Sequence, residues 1–241
     1  MLTQNWSDLS AALADALALN SPPIAITFSD EPPADVDAFD APMPDPLPDG
    51  RTGRVAAGCV FWMRAADRTF ATVAEDHGNC SVGSLTHGFK TLDEVAGNSD
   101  VAALLDSGWV TMDVVPQIPT VREKPGSVTY GPLAETPVDP DVVLLRIHGK
   151  QLMVLHDAVP QLRIEGKPQC HIIAIAKEEG ETAVSVGCAL SRVRTGMSAH
   201  EMTCAIPAGS LPSVLETIQR NAGADTAVAR YAAADAQRFS S

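Results

Sequence analysis

Two stretches of this chain echo each other, and the echo restricts what it can fold into. The first is Cys59 to Cys80, CVFWMRAADRTFATVAEDHGNC, and the second is Cys170 to Cys188, CHIIAIAKEEGETAVSVGC. Each opens with a cysteine on an apolar or Ala-rich run. Each passes a charged turn, Ala66-Asp67-Arg68 or Glu178-Glu179-Gly180-Glu181. Each returns through a segment beginning with Thr, TFATVA from Thr69 or TAVSVG from Thr182, and reaches a second cysteine before a helix-like segment. The first copy carries extra residues, Glu75 to Asn79. Self-similarity at long period dictates architecture. Halves related by a pseudo-two-fold axis would bring Cys59, Cys80, Cys170 and Cys188 together, and four thiolates at one point are a zinc or iron–sulfur ligand set.

With 241 residues, 45% of them hydrophobic, the chain can build a real core. No apolar run approaches the roughly 20 residues that cross a bilayer. The start lacks the basic segment of a secretory signal and reads as an amphipathic helix with Trp6, Leu9, Leu13 and Leu17 on one face. The net charge of −13 excludes phosphate-backbone binding to nucleic acid, which needs Lys and Arg clusters, and disfavours anionic membrane surfaces. Five cysteines without an export signal point to a cytoplasmic, reducing setting and to free thiols, metal ligands or catalysis.

Strand-like runs at 24–28, 69–74, 109–115, 127–130, 142–147 and 202–206 alternate with helical patterns. We expect helices at 58–66, 82–89, 99–105 (with Ser99 as cap), 150–159 and 211–221, and Ser198 to Glu201 has the form of a capping box. Residues 29–54 are rich in Pro and Asp and read as a solvated loop. The expected fold is therefore α/β or α+β: two related halves, an internal duplication, in one compact domain of mixed sheets flanked by helices. The halves divide at 1–135 and 136–241.

The segments HGNCSVGSLTHGF, PDVVLL and SVGCALSRVRTGMSAHEMTCAIP together resemble the prokaryotic family filed as domain of unknown function, family 169. That family's landmarks are matched here by Cys59 with Ala65, by Cys80 to Gly83 with Phe89, and by Ser185-Val186-Gly187-Cys188 with Arg192 ahead of Ala205-Ile206-Pro207. The resemblance spans roughly residues 6 to 230. Ser81 departs from the pattern, which expects Pro. The family implies a fold boundary and no activity.

Four cysteines are candidate metal ligands: Cys59, Cys80, Cys170 and Cys188. Cys204, between Thr203 and Ala205 in a strand, reads as a small buried hydrophobe. The spacings include no C-x-x-C knuckle and no ferredoxin run. Dispersed cysteines gathered by a fold favour a [4Fe–4S] cluster over zinc, with no metal at all as the remaining option. Gly187 and Asn79 flank the cysteines and are candidate cofactor contacts. Arg192, one helical turn beyond Cys188, could neutralise a cluster or grip a small anionic substrate, and Arg64 could match it in the first half. His77, three residues before Cys80, is a candidate catalytic proton donor, a ligand, or a turn histidine facing water.

Three functions follow: an iron–sulfur protein, an oxidoreductase or lyase, working with a redox partner protein or an anionic substrate; a metal-free thiol enzyme using a lowered-pKa Cys80 or Cys188 with His77 as base; or a non-catalytic binding module, with zinc as an optional clasp. An acidic, Ala-rich chain of this size is compatible with a homodimer. Dinucleotide, P-loop, nucleophile-elbow and zincin motifs are absent from the sequence.

Overall fold

A computed structural model describes residues 5–239; the first residues of the expected N-terminal helix lie outside them. The elements, in order, are α1 (Trp6–Leu17), β1 (Ile24–Ser29), α2 (Cys59–Arg64), β2 (Phe70–Thr72), α3 (Ser81–Thr86), α4 (Leu92–Val95), α5 (Ser99–Asp106), β3 (Ser127–Pro132), β4 (Val142–Ile147), α6 (Gly149–Ala158), β5 (Arg163–Glu165), α7 (His171–Ala174), β6 (Ala183–Ser185), α8 (Ala189–Thr195), β7 (Met202–Pro207) and α9 (Leu211–Ala236).

The seven strands form one mixed sheet in the order β2-β3-β1-β4-β7-β6-β5, so the fold is α+β. Only β5 and β6 pair in parallel. The centre is the antiparallel pair β1 and β4, where Ile24 faces Leu144. From that pair outward, β3 then β2 on one side match β7 then β6 on the other, each step antiparallel. A mirrored strand order is geometry rather than ancestry, and it does not carry the duplication expected from the sequence. Both sequence halves contribute to the same sheet.

Side chains on a strand alternate between faces, and here the alternation divides two cores. Val142 and Leu144 of β4 point to the face covered by α2 and α7, together with Ile24, Ile26, Val128 and Tyr130. Val143, Leu145 and Ile147 point to the opposite face, with Leu13, Leu155 and Leu215 of α1, α6 and α9. The expected stripe of α1 is the reason it docks there: Leu13 and Leu17 are buried while Trp6 and Leu9 pack at its margin. Asn5 caps that helix by accepting from the Asp8 N–H, and Ala18 ends it in the left-handed region ahead of Pro22. No helix among the described residues is long and apolar enough to cross a membrane.

Four local expectations change. Residues 109–115 make turns instead of a strand, because Leu104 O takes the Trp109 and Val110 N–H groups and Thr111 O takes those of Val114 and Val115. Asn98, not Ser99, holds the cap position of α5. The strand expected at 69–74 shortens to β2, since Asp76 Oδ2 accepts the Val73 N–H at 2.8 Å and starts a turn. Ser198 to Glu201 caps no helix; Glu201 instead holds Arg146 of β4, its Oε2 accepting from Nη2 at 3.0 Å. The Pro/Asp-rich stretch is a loop with one isolated bridge, Ala38 to Ala71. It is not merely solvated. Arg51 is buried and donates to Asn79 O at 2.8 Å, and its guanidinium also pairs with Asp100 at 3.1 Å and Asp49 at 3.0 Å.

Candidate functional site

Cys59 is the first residue of α2, and Cys80, Cys170 and Cys188 are the N-cap residues of α3, α7 and α8. Cys80 and Cys188 share an extended backbone at matched places in the two halves. Their helices touch across the halves, α2 with α8 and α3 with α7. This places all four thiols within electrostatic reach of one another. Burial raises the Cys170 thiol well above its ordinary value, and Cys59, Cys80 and Cys188 push it further. Burial likewise pushes Cys59 up to about 12, with Cys80 and Cys188 adding to it. Cys80 is raised by burial, then by Asp100 and Cys188. Such mutual shifts arise only between neighbouring ionisable groups.

All four are free, and each keeps 7–8% of its surface accessible. Cys204 keeps none. It lies on the other face of the sheet, among aliphatic side chains, and burial alone raises it to about 12.

Polar groups converge on the quartet. Gln169 Nε2 donates to Cys59 Sγ at 3.5 Å and to Ser191 Oγ at 2.8 Å. Gly83 lies against Cys80, where a Cβ would stand 3.6 Å from its Sγ, and α3 contacts α7, which Cys170 caps. Two donors stand ready without a partner among the described residues. The Tyr130 hydroxyl is fully buried and unbonded, and it feels the charges of Cys59 and Cys170. The Arg194 Nη1 atom is buried and unbonded, and its charge acts on Cys80. An unpaired buried donor is costly, so donors of this kind beside four sulfurs suit an anionic occupant.

His77 is 2% exposed and does not face water. Its ring packs 4.7 Å from both Phe61 and Phe89. The Thr72 hydroxyl donates to Val128 O at 2.9 Å, so its oxygen receives the His77 Nε2–H at 3.0 Å; this tautomer is assigned from the hydrogen-bond network. Nδ1 is left as a bare acceptor facing Gly58. Burial, then His87, depresses the ring's pKa well below the ordinary value, so it is neutral. The remaining nitrogen can accept a hydrogen bond, but the depressed pKa makes the ring neither a proton donor nor a ready base.

Arg192 spans backbone carbonyls: Nη2 donates to Val186 O at 3.1 Å, Ala199 O at 3.3 Å and Glu201 O at 3.0 Å. Gly187 has φ of +123°, and a Cβ there would fall on that guanidinium. The pair is a clamp across the loop that carries Cys188. Asn79 holds the 50s loop, donating to Gly53 O at 2.7 Å and Val55 O at 3.1 Å. Arg64 is exposed. The cation whose charge reaches the quartet is Arg194.

Gln169 and Tyr130 were not foreseeable as site residues. Gln169 adjoins Cys170 in sequence, a usable signal, but Tyr130 in a buried strand reads as ordinary core. Among the described residues no three His, Cys, Asp or Glu side chains are spaced to hold a single metal ion. Tetrahedral zinc would need sulfurs about 3.8 Å apart, given Zn–S distances of about 2.3 Å. The quartet is near enough for electrostatic coupling.

No curated protein and no solved structure matches the chain. One family model does, over residues 12–217. That span holds the whole sheet, the second half of α1 and all four cysteines. The chain therefore belongs to the family described as uncharacterised ArCR, domain of unknown function 169.

Proposed function

We propose that this protein is an iron–sulfur protein that holds a [4Fe–4S] cluster through Cys59, Cys80, Cys170 and Cys188. The observation that carries the reading is the mutual coupling of four free, buried thiols brought from four helix starts in both halves of the chain. A bound cluster would supply one-electron redox chemistry. The residues present suit such an occupant. The Gln169, Tyr130 and Arg194 donors face sulfurs whose charge they would stabilise, and hydrogen bonds and nearby charge set cluster potentials. A cluster with four thiolate ligands leaves no iron position open, which favours electron exchange with a partner protein over chemistry on a metal-bound substrate. The shared ancestry of the two halves, a reducing cytoplasmic location and a redox partner belong to this same proposal.

The metal-free thiol enzyme fits less well. Its nucleophile needs a thiolate near neutral pH, yet burial raises Cys59, Cys80 and Cys170. Metal coordination displaces such thiol protons outright.

The test is to purify the full chain without oxygen and to measure iron, acid-labile sulfide and visible absorption. Iron and sulfide in equal amounts with broad visible absorption are expected. Colourless protein that takes up neither after anaerobic reconstitution ends the proposal, and zinc in place of iron would make the centre a structural clasp.

A further inference from the structure

The chain has 17 Lys and Arg against 30 Asp and Glu, so a place where cations gather is informative. Arg192 gives its Nη2 to three carbonyls, and its unpartnered Nε is buried. Lys90, Arg122 and Lys124 instead line one cleft of about 720 Å³, the size of a small-ligand site. Its apolar floor includes Leu85, Phe89 and Ile118. Neither the Lys90 nor the Lys124 ammonium makes a hydrogen bond or ion pair among the described residues. Both act on one carboxylate, Glu94, which also lines the cleft and is already held by Thr91, whose N–H and hydroxyl it accepts at 2.6 and 2.9 Å. The two ammonium groups therefore converge on a common region.

The cleft is braced. Gly88 has φ of +76°, and a Cβ there would lie 2.7 Å from Val121 O, so the segment carrying Lys124 seats directly on the end of α3. The Val121 N–H donates to Thr86 O at 3.0 Å. The helix carrying Thr86 contacts α7, which Cys170 caps, and Phe89 packs on His77. The cleft thus sits one helix behind the cysteines.

We infer that this cleft binds a small organic phosphate, its charged group between Lys90 and Lys124 and its less polar part over Leu85, Phe89 and Ile118; Arg122 is already paired with Glu178 at 3.7 Å. Unpaired ammonium groups suit a multiply charged phosphate as point charges. The concave wall concentrates their field within an otherwise acidic molecule. The apolar floor and the volume suit a phosphate carried on an organic body. The inference stands apart from the metal centre.

The test is calorimetric titration of the full chain with ADP and with citrate, in metal-loaded and metal-free protein. ADP binding in both forms is expected, weakened roughly tenfold by Lys90→Gln and by Lys124→Gln, restored by Arg at either position, and reduced by added salt. Circular dichroism checks that these surface variants fold. No heat with ADP, unchanged affinity in the double Gln variant, or citrate binding as tightly as ADP would overturn it. Because metal-free protein is one arm, loss of the cluster proposal leaves this result readable.

Discussion

The two faces of the sheet are built from the same strands and carry opposite chemistry. On one face the buried members include Phe39, Phe61, Trp62, Phe70, Phe89 and Tyr130 with Cys59 and Cys170. Polar atoms there lack partners, among them Trp62 Nε1, His77 Nδ1, His87 Nε2 and Tyr130 Oη. On the other face the buried cluster is aliphatic, with Cys204 and no aromatic side chain. The aliphatic face is a packing solution and nothing more. The other face tolerates buried polar groups that cost stability unless something pairs with them. Thiols on the two faces therefore mean different things, although both are buried.

The largest effect should come from the cysteines themselves. Ser at position 59, 80, 170 or 188 is expected to remove nearly all iron from anaerobically prepared protein. Cys204→Ser should leave iron content unchanged while costing roughly 1–3 kcal/mol for a buried hydroxyl. Iron loss in Cys204→Ser equal to the others would erase the division between the faces.

Next come two neighbours on one strand. Leu144 and Leu145 are both fully buried but point to opposite faces. Leu144→Ala and Leu145→Ala should each cost about 2–5 kcal/mol in denaturant unfolding. Only Leu144→Ala should also alter the visible spectrum or loading of the proposed metal centre. A matched spectral change in Leu145→Ala would show the two cores to be coupled through the sheet.

The polar face should also make stability depend on pH. Burial holds His87 down to about 4, against an ordinary value of 6.5, and His77 is depressed as well. Between about 6.5 and 4 the unfolded chain takes up protons that the folded chain refuses. Stability therefore falls as pH falls through that window, by on the order of 3 kcal/mol for the full His87 shift. Urea unfolding of metal-free protein at stepped pH checks this, and His87→Gln should flatten the slope. The smallest effect belongs to Arg64→Ala. Arg64 is exposed, so the change should stay within about 0.5 kcal/mol and leave the spectrum alone.

Much of the site was readable from local pattern. The four cysteines stood at matched places in two similar segments, and each does begin a helix. Cys204 stood in a strand of small and apolar residues and is core. Direction was not legible. Arg192 and Arg194 are near neighbours in the sequence, yet Arg192 gives its Nη2 to carbonyls and Arg194 acts on Cys80. Turn chemistry also hid burial. A histidine in EDHGN reads as exposed, but β2, α2 and Phe89 close over His77. The grouping of Lys90 with Lys124 was invisible too, because a positive-φ glycine, Gly88, folds one segment onto the other.

By itself the sequence determined most of the strands and helices, and that four thiols stand at matched places, since periodicity and short-range spacing are properties of neighbouring residues. Tertiary structure alone decided which face each thiol occupies, which arginine is free to act on it, and where unpaired cations meet. Those outcomes depend on strand order and on backbone carbonyls far away in the chain, and no local pattern encodes a partner contributed by a distant segment.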